Sequence, residues 1–404
     1  MRGNRVVVTG RSLVCGQGLN LSTAWPGIVE GQRVARRFTL FEPASGGVSF
    51  GVELPDGADE FFRREIKPRS RAQMTRGTML SLVAARMAMD DAGLDADAMD
   101  RQRIGVVAGA TGTGYAPTGA EPDGNRILRN MASAPAAWIS LKERLLGPSM
   151  VVSTACSSGV YAMHSAWHLL AGGECDAVVA GAADSTLNAL DVEGFNALMA
   201  LADGDDDPLT VSRPFDATRK GFVMGEGGGF LVLETEAHAV ARGARILAIL
   251  HRPGVASEGY NIVSPEPDGV GMARAMRRAL DSAGLAPEAI DYLNAHGTST
   301  PLNDLYETRA IRDVFGDHAR RLPVSSTKGV TGHCLAGAAG VEAVVTVQAL
   351  VEGVIPPTVN LRNPDPELDL DYVPDVARKA DLSHVMCNSF AFGGQNGVCI
   401  FSRP

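Results

Sequence analysis

The sequence has no long uninterrupted apolar run, no closely spaced cysteine pair and no excess of positive charge. Glycine or polar residues interrupt every hydrophobic stretch before membrane-spanning length, and the run in MRGNRVVVTGRS is too short for a signal peptide. A soluble, cytoplasmic chain is expected. The six cysteines (Cys15, Cys156, Cys175, Cys334, Cys387 and Cys399) are scattered with no CxxC, so they read as reduced thiols rather than a disulfide framework or a zinc site. A net charge of −9 argues against a nucleic-acid partner. Only five of the 37 basic residues are lysines: Lys67, Lys142, Lys220, Lys328 and Lys379. Two familiar signatures are incomplete. His164 and His168 are spaced i, i+4 but have no acidic residue between them and no evident third ligand, so no metal site is expected. GEGGGF (225–230) lacks the Lys-Ser/Thr of a phosphate-binding loop and is read as a structural turn.

What is present indicates an α/β protein. The 404 residues, 45% hydrophobic, suffice for a large core, and helical periodicities alternate with Val-rich runs. DDAGLDADAMD (90–100) and DSAGLAPEAID (281–291) align without a gap, matching at Asp90/Asp281, Ala92/Ala283, Gly93/Gly284, Leu94/Leu285, Ala98/Ala289 and Asp100/Asp291. Each follows an amphipathic pattern, such as Met272, Ala275, Met276, Ala279 and Leu280, and precedes a strand, IGVVAG or YLNAH. Gly93 and Gly284 stand where a helix C-cap takes a left-handed residue. The repeat predicts a duplication: one half over residues 1–250 carrying a nucleophile, a second over 251–404 carrying two histidines, with functional loops between them. Residues 109–126 are expected to form a long functional loop, and 202–216 an exposed acidic turn.

The candidate nucleophile is Cys156, the alternative being a buried inert thiol. A strand, MVVSTA, leads to it, and SSGVYAMHSAWHLLAGG reads as a helix with Val160, Met163, Trp167 and Leu170 as its apolar stripe. A thiol at a helix N-terminus is expected to be favoured as thiolate, with small neighbours leaving room for a carbonyl and its own N–H as an oxyanion donor. Two further segments, NAHGTSTPLND (294–304) and SSTKGVTGHCLAGAAG (325–340), each set a histidine among small residues, which suggests a pocket shared with the thiol. CNSFAFGGQNG (387–397) offers a glycine-rich turn as a second source of backbone donors.

With these motifs in order, together with SRPFDATRKGFVMGEGGG, the chain resembles the elongating β-ketoacyl-acyl carrier protein synthases of the thiolase superfamily over its whole length. The resemblance implies a duplicated α/β/α/β/α five-layered sandwich. It implies an acyl-accepting Cys156, with His296 and His333 facing a malonyl thioester and Lys328 orienting the network. Glu342 would brace the histidine loop, and the backbone N–H groups of Cys156 and Phe392 would form an oxyanion hole. Thr298 and Thr300 would hold the pantetheine arm, while Gly112, Phe390 and Phe392 would border the acyl pocket. The expected substrates ride on an acyl carrier protein, with no metal or redox cofactor.

The basic stretch RREIKPRSRAQMTR (63–76) stands out in an anionic chain, and Lys67, Arg69 and Arg71 are expected to dock the acidic carrier. Housekeeping relatives usually carry Phe-Gly-Phe-Gly-Gly where this chain has Phe390-Ala391-Phe392-Gly393-Gly394, and a bulkier residue near Gly112. These departures point to a specialised polyketide or polyene pathway, with housekeeping fatty acid elongation as the alternative. A thiolase would need a second catalytic cysteine near the C-terminal turn, a position Cys387 does not fill. A chain-length partner would lack the nucleophile. A homodimer, or a heterodimer with such a partner, is expected.

Overall fold

The computed structural model describes residues 5–43, 47–111, 124–202 and 207–404. Val-rich segments alternating with amphipathic helices build one mixed sheet of eleven strands. The first five are β1 (Val6–Val14), β2 (Ile104–Gly109), β3 (Ser149–Val152), β4 (Ala177–Asp184) and β5 (Gly227–Thr235). The remainder are β6 (Ala248–Leu250), β7 (Gly254–Ser257), β8 (Tyr292–Asn294), β9 (Val324–Ser325), β10 (His384–Ser389) and β11 (Gln395–Ser402). The order is β9-β8-β10-β11-β6-β1-β5-β4-β2-β3, with β7 also paired to β11.

The same wiring occurs twice. In β1–β5 the first strand pairs antiparallel with the fifth, the fifth antiparallel with the fourth, and the second parallel with the fourth and third. In β7–β11 the pattern repeats, strand for strand. The short β6 joins the two sets by pairing with β1 on one side and β11 on the other. Gly93 (φ 57°) and Gly284 (φ 65°) cap the helices of the repeat in the left-handed region, as their aligned positions require.

Helices α1 (Arg76–Ala92) and α2 (Ala134–Glu143) cover the outer face of β1–β5. Helices α4 (Val270–Ala283) and α5 (Pro301–Phe315) lie outside β7–β11. Between the two sets run α3 (Ser158–Ala171) and α6 (Ala336–Glu352), giving five layers. Helix α6 reads AGAAGVEAVVTVQALVE, apolar but for Glu342, Thr346, Gln348 and Glu352, and every residue from Ala336 to Leu350 is buried. That is the pattern of a helix with no solvent face. GEGGGF is not a turn: Gly227–Phe230 open β5, and a Cβ on Gly229 would lie 2.3 Å from the Gly340 carbonyl oxygen. The glycines let α6 lie directly on the sheet.

Candidate active site

Strand β3 stops at Val152, short of the expected MVVSTA, and the chain then folds into a tight elbow. Ala155 takes φ 47°, a conformation costing an L-residue about 1–2 kcal/mol. Hydrogen bonds hold it there: Thr154 N–H donates to Ser158 Oγ (2.9 Å), Ser158 Oγ to Ala155 O (2.6 Å), and Ser389 Oγ to Cys156 O (2.9 Å). A strained residue so constrained is a usual mark of a functional turn. Cys156 follows it, two residues ahead of α3.

The elbow brings Cys156 to both histidines. Its Sγ and one nitrogen from each of His296 and His333 lie within 4.8 Å of one another. Sγ is 3.1 Å from His333 Nε2, and the two imidazoles meet edge to face with centroids 5.4 Å apart. Burial pushes the thiol up to about 12, with Lys328 opposing. The helix N-terminus therefore does not make Cys156 a resting thiolate as expected: desolvation outweighs it, and the neutral S–H donates to Nε2 of His333. Burial, reinforced by the Lys328 charge, holds both imidazoles well below their ordinary range, so they are uncharged.

Lys328 is buried and organises the pair. Its ammonium pairs with Glu342 and donates to His296 O (2.6 Å) and His296 Nδ1 (3.3 Å). An ammonium only donates, so Nδ1 accepts and the proton of His296 sits on Nε2. Burial pushes the Glu342 carboxyl up to about 7 against the pull of Lys328. Glu342 thus acts through Lys328 rather than on the histidine loop directly. His333 differs: its buried Nδ1 has no hydrogen-bond partner, so its tautomer rests on the contact between Nε2 and Cys156 alone.

Glu307, absent from the expected set, positions His296. Its carboxylate accepts from the backbone N–H of His296 (2.9 Å) and Gly297 (2.8 Å) and from Asn388 Nδ2 (3.1 Å). Asp304, Glu307 and Thr308 form a buried i, i+3, i+4 polar stripe on α5, a signal readable in NDLYET.

A cavity of about 530 Å³ opens onto the thiol, lined among others by Thr298, Thr300, Phe390 and Phe392. The Thr298 and Thr300 hydroxyls lie 2.9 Å apart, the Phe390 ring is 6.1 Å from His296, and Phe392 is 6.5 Å from Phe195. Ala391 is extended (φ −128°, ψ 154°). Gly112 lies outside the described residues, as do most of the expected 109–126 loop and Asp203–Asp206 of the acidic run. Cys387 sits within β10 opposite Cys399, away from the cavity lining. His164 Nδ1 bonds to the Pro253 carbonyl, and no metal-ligating group involving it is found among the described residues.

Lys67 and Arg69 are exposed at the short helical turn Pro68–Arg71. Arg71, expected alongside them, is half-buried, with Nη1 closed off from solvent. The turn Arg126–Arg129 joins this basic surface: Arg129 Nη1 donates to Ala72 O at 2.7 Å across 57 residues of sequence. No described helix is long and apolar enough to cross a membrane.

The pattern of the Beta-ketoacyl synthase N-terminal domain matches residues 3–239, and that of the Beta-ketoacyl synthase C-terminal domain residues 247–362. The chain is 40% identical over 415 residues to 3-oxoacyl-[acyl-carrier-protein] synthase 2 of Synechocystis sp., covering 99% of this chain and 98% of that one. Its identity to the protein of that name from Coxiella burnetii is 36% over 419 residues, covering 100% and 99%. A beta-ketoacyl synthase structure from Burkholderia phymatum superposes with a TM-score of 0.91 at 34% identity, covering 99% of this chain and 100% of that one. The ishigamide ketosynthase/chain length factor gives 0.90 at 32%, covering 100% of both chains. An acyl-carrier protein in complex with its type II polyketide ketosynthase gives 0.89 at 28%, again over 100% of both. The fold is the thiolase-like duplicated α/β/α/β/α sandwich, and the chain belongs to the beta-ketoacyl synthase family.

Proposed function

We propose that the chain is a β-ketoacyl-acyl carrier protein synthase, catalysing decarboxylative Claisen condensation of a malonyl carrier with an acyl chain held on Cys156. The observation that carries this is the Cys156–His333–His296 convergence with Lys328 fixing the His296 tautomer. In the first half-reaction His333 Nε2 takes the thiol proton as sulfur attacks the acyl thioester. The proton then passes to the leaving carrier thiolate, and an acyl-Cys156 remains. In the second, the malonyl C–CO₂ bond breaks and its electron pair forms an enolate. His296 donates Nε2–H to that oxygen, and His333, free to change tautomer, donates as well. The enolate carbon attacks the acyl-cysteine carbonyl, the C–S bond breaks, and the released Cys156 thiolate takes up one proton from solvent by way of His333. The backbone N–H groups of Cys156 and Phe392 stabilise the tetrahedral oxyanions. Thr298 and Thr300 hold the pantetheine arm; no metal or redox cofactor takes part.

The test is the intact mass of the protein after incubation with acyl carriers. A stoichiometric adduct that disappears in Cys156→Ala supports the assignment; an adduct persisting in that variant overturns it.

The carrier docks on Lys67 and Arg69, with Arg71 supporting from beneath and Arg126 and Arg129 extending the surface. Charge reversal at Lys67 and Arg69 should raise KM for carrier substrates more than it lowers kcat. We place the seam between halves at residues 250/251, within the link between β6 and β7. The outer edge of β3, unpaired among the described residues, with exposed Leu141, Leu146 and Met150 nearby in sequence, supports a dimer through this edge, either with itself or with a chain-length partner. The enzyme works in the cytoplasm. Ala391 supports a specialised type II polyketide or polyene pathway, while housekeeping fatty acid elongation is also consistent with relatives named 3-oxoacyl-[acyl-carrier-protein] synthase 2. Acyl carriers from C4 to C16 test the roomy acyl pocket, which turnover of short chains alone would exclude.

A further inference from the structure

Asp184 closes β4 and is only 4% exposed, yet no chemical step above uses it. Its Oδ2 accepts from the Thr111 hydroxyl and, at 3.4 Å, from the Thr111 backbone N–H; its Oδ1 accepts from Ser185 N–H at 2.9 Å. The backbone N–H of Ala336, first residue of α6, also favours the charge on this carboxylate. Helix α6 has no cap of its own: Leu335 at the N-cap makes no side-chain bond, and the first turn has no acidic residue. A buried helix start needs acceptors for its unpaired N–H groups, and a carboxylate there also complements the helix dipole. Asp184 lies at that helix start from another strand, and its charge complements the dipole. The fit is close, since a Cβ on Gly337 would lie 2.8 Å from Asp184 N.

Two walls of the cavity therefore meet at one carboxylate. Thr111 lines the cavity directly. Leu335 lines it too, follows His333 by two residues, and holds φ 47°, so the His333 loop is strained and depends on its anchors. We propose that Asp184 is a positioning residue that fixes the His333–Leu335 loop to the cavity wall at Thr111. An acyl chain that displaces that wall then shifts the imidazole receiving the next substrate. This deepens the condensation reading, on which its kinetic readout rests; its hydrogen-exchange readout does not.

The test compares the full-length wild type with Asp184→Asn and Thr111→Val. Asparagine cannot accept from all the donors around Asp184, whereas valine removes only the wall arm. In Asp184→Asn, amide exchange of peptides spanning 333–345 should accelerate about tenfold, with the rest of the chain unchanged. Thr111→Val should leave those peptides protected but shift the ratio of long-chain to short-chain Cys156 acylation about threefold. Asp184→Asn should also lower kcat for condensation about tenfold while KM for malonyl carrier stays within about twofold. Unchanged exchange at 333–345 in Asp184→Asn, exchange accelerated evenly along the chain, or an unmoved chain-length ratio in Thr111→Val would each overturn the proposal. A wild type that never condenses would remove the parent reading and leave the exchange comparison standing.

Discussion

In the N-terminal half the third strand, β3, ends at Val152 and delivers Cys156; in the C-terminal half the third strand, β9, ends at Ser325 and delivers Lys328 and His333. The second strands are matched as well, β2 leading to Thr111 on the cavity wall and β8 to His296. Equivalent strand tips of one repeated wiring therefore face each other across a single cavity, yet carry different chemistry. The N-terminal tips provide a nucleophile and a wall. The C-terminal tips provide uncharged imidazoles and the buried cation that orients one of them. A duplicated sheet supplies opposed loops; what each loop does depends on the side chains it carries.

The widest separation of the halves should come from Cys156→Ala. Condensation should fall by more than about a thousandfold while malonyl carrier is still decarboxylated, because that step belongs to the C-terminal tips. His296→Ala should do the reverse, retaining the acyl adduct by intact mass and losing decarboxylation. Loss of both activities in both variants would erase the division of labour.

Lys328→Ala probes the cation that has no counterpart beside Cys156. It leaves Glu342 buried without its partner, and denaturant titration should show a loss of about 3–5 kcal/mol. Lys328→Met with Glu342→Leu should recover most of the stability but not the activity, since nothing then sets the His296 tautomer.

The pH response of the thiol sharpens the contrast between dipole and burial. Only the deprotonated sulfur is alkylated, and burial holds the thiol at about 12. The rate of iodoacetamide labelling at Cys156 should therefore rise about tenfold per unit between about pH 7 and 9, without a plateau. A plateau already reached near neutrality would mean a resting thiolate–imidazolium pair.

The smallest effect is expected at Ala391. Glycine there gains access to backbone conformations that alanine disfavours by roughly 1 kcal/mol, so Ala391→Gly should change the acylation rate only a few-fold. An unchanged rate would show that the turn at Phe392 does not gate the cavity.

Much of this site was legible in the sequence because its chemistry is carried by local motifs. TACSSG, NAHGTST and SSTKGVTGH each place a reactive side chain next to small residues, and the aligned Gly93 and Gly284 disclosed the duplication. The misreadings share one physical cause. The thiolate expectation considered the backbone ahead of Cys156 and not the desolvation around it. GEGGGF looked like a turn because the helix packed on those glycines lies more than a hundred residues along the chain. Arg71 was expected outside because a charge run does not reveal which of its members turns inward. Glu307 was overlooked although its stripe on α5 was readable, and Arg129 was overlooked because only folding brings it to Ala72.

The sequence by itself determined the alternation of strands and helices, the repeat and the identity of the reactive groups, because these follow from local periodicity and side-chain type. Tertiary structure alone decided the protonation state of Cys156, the tautomer of His296 and the pairing of Lys328 with Glu342. Those depend on distance and on the exclusion of water, and both arise only when segments far apart in the chain are brought into contact.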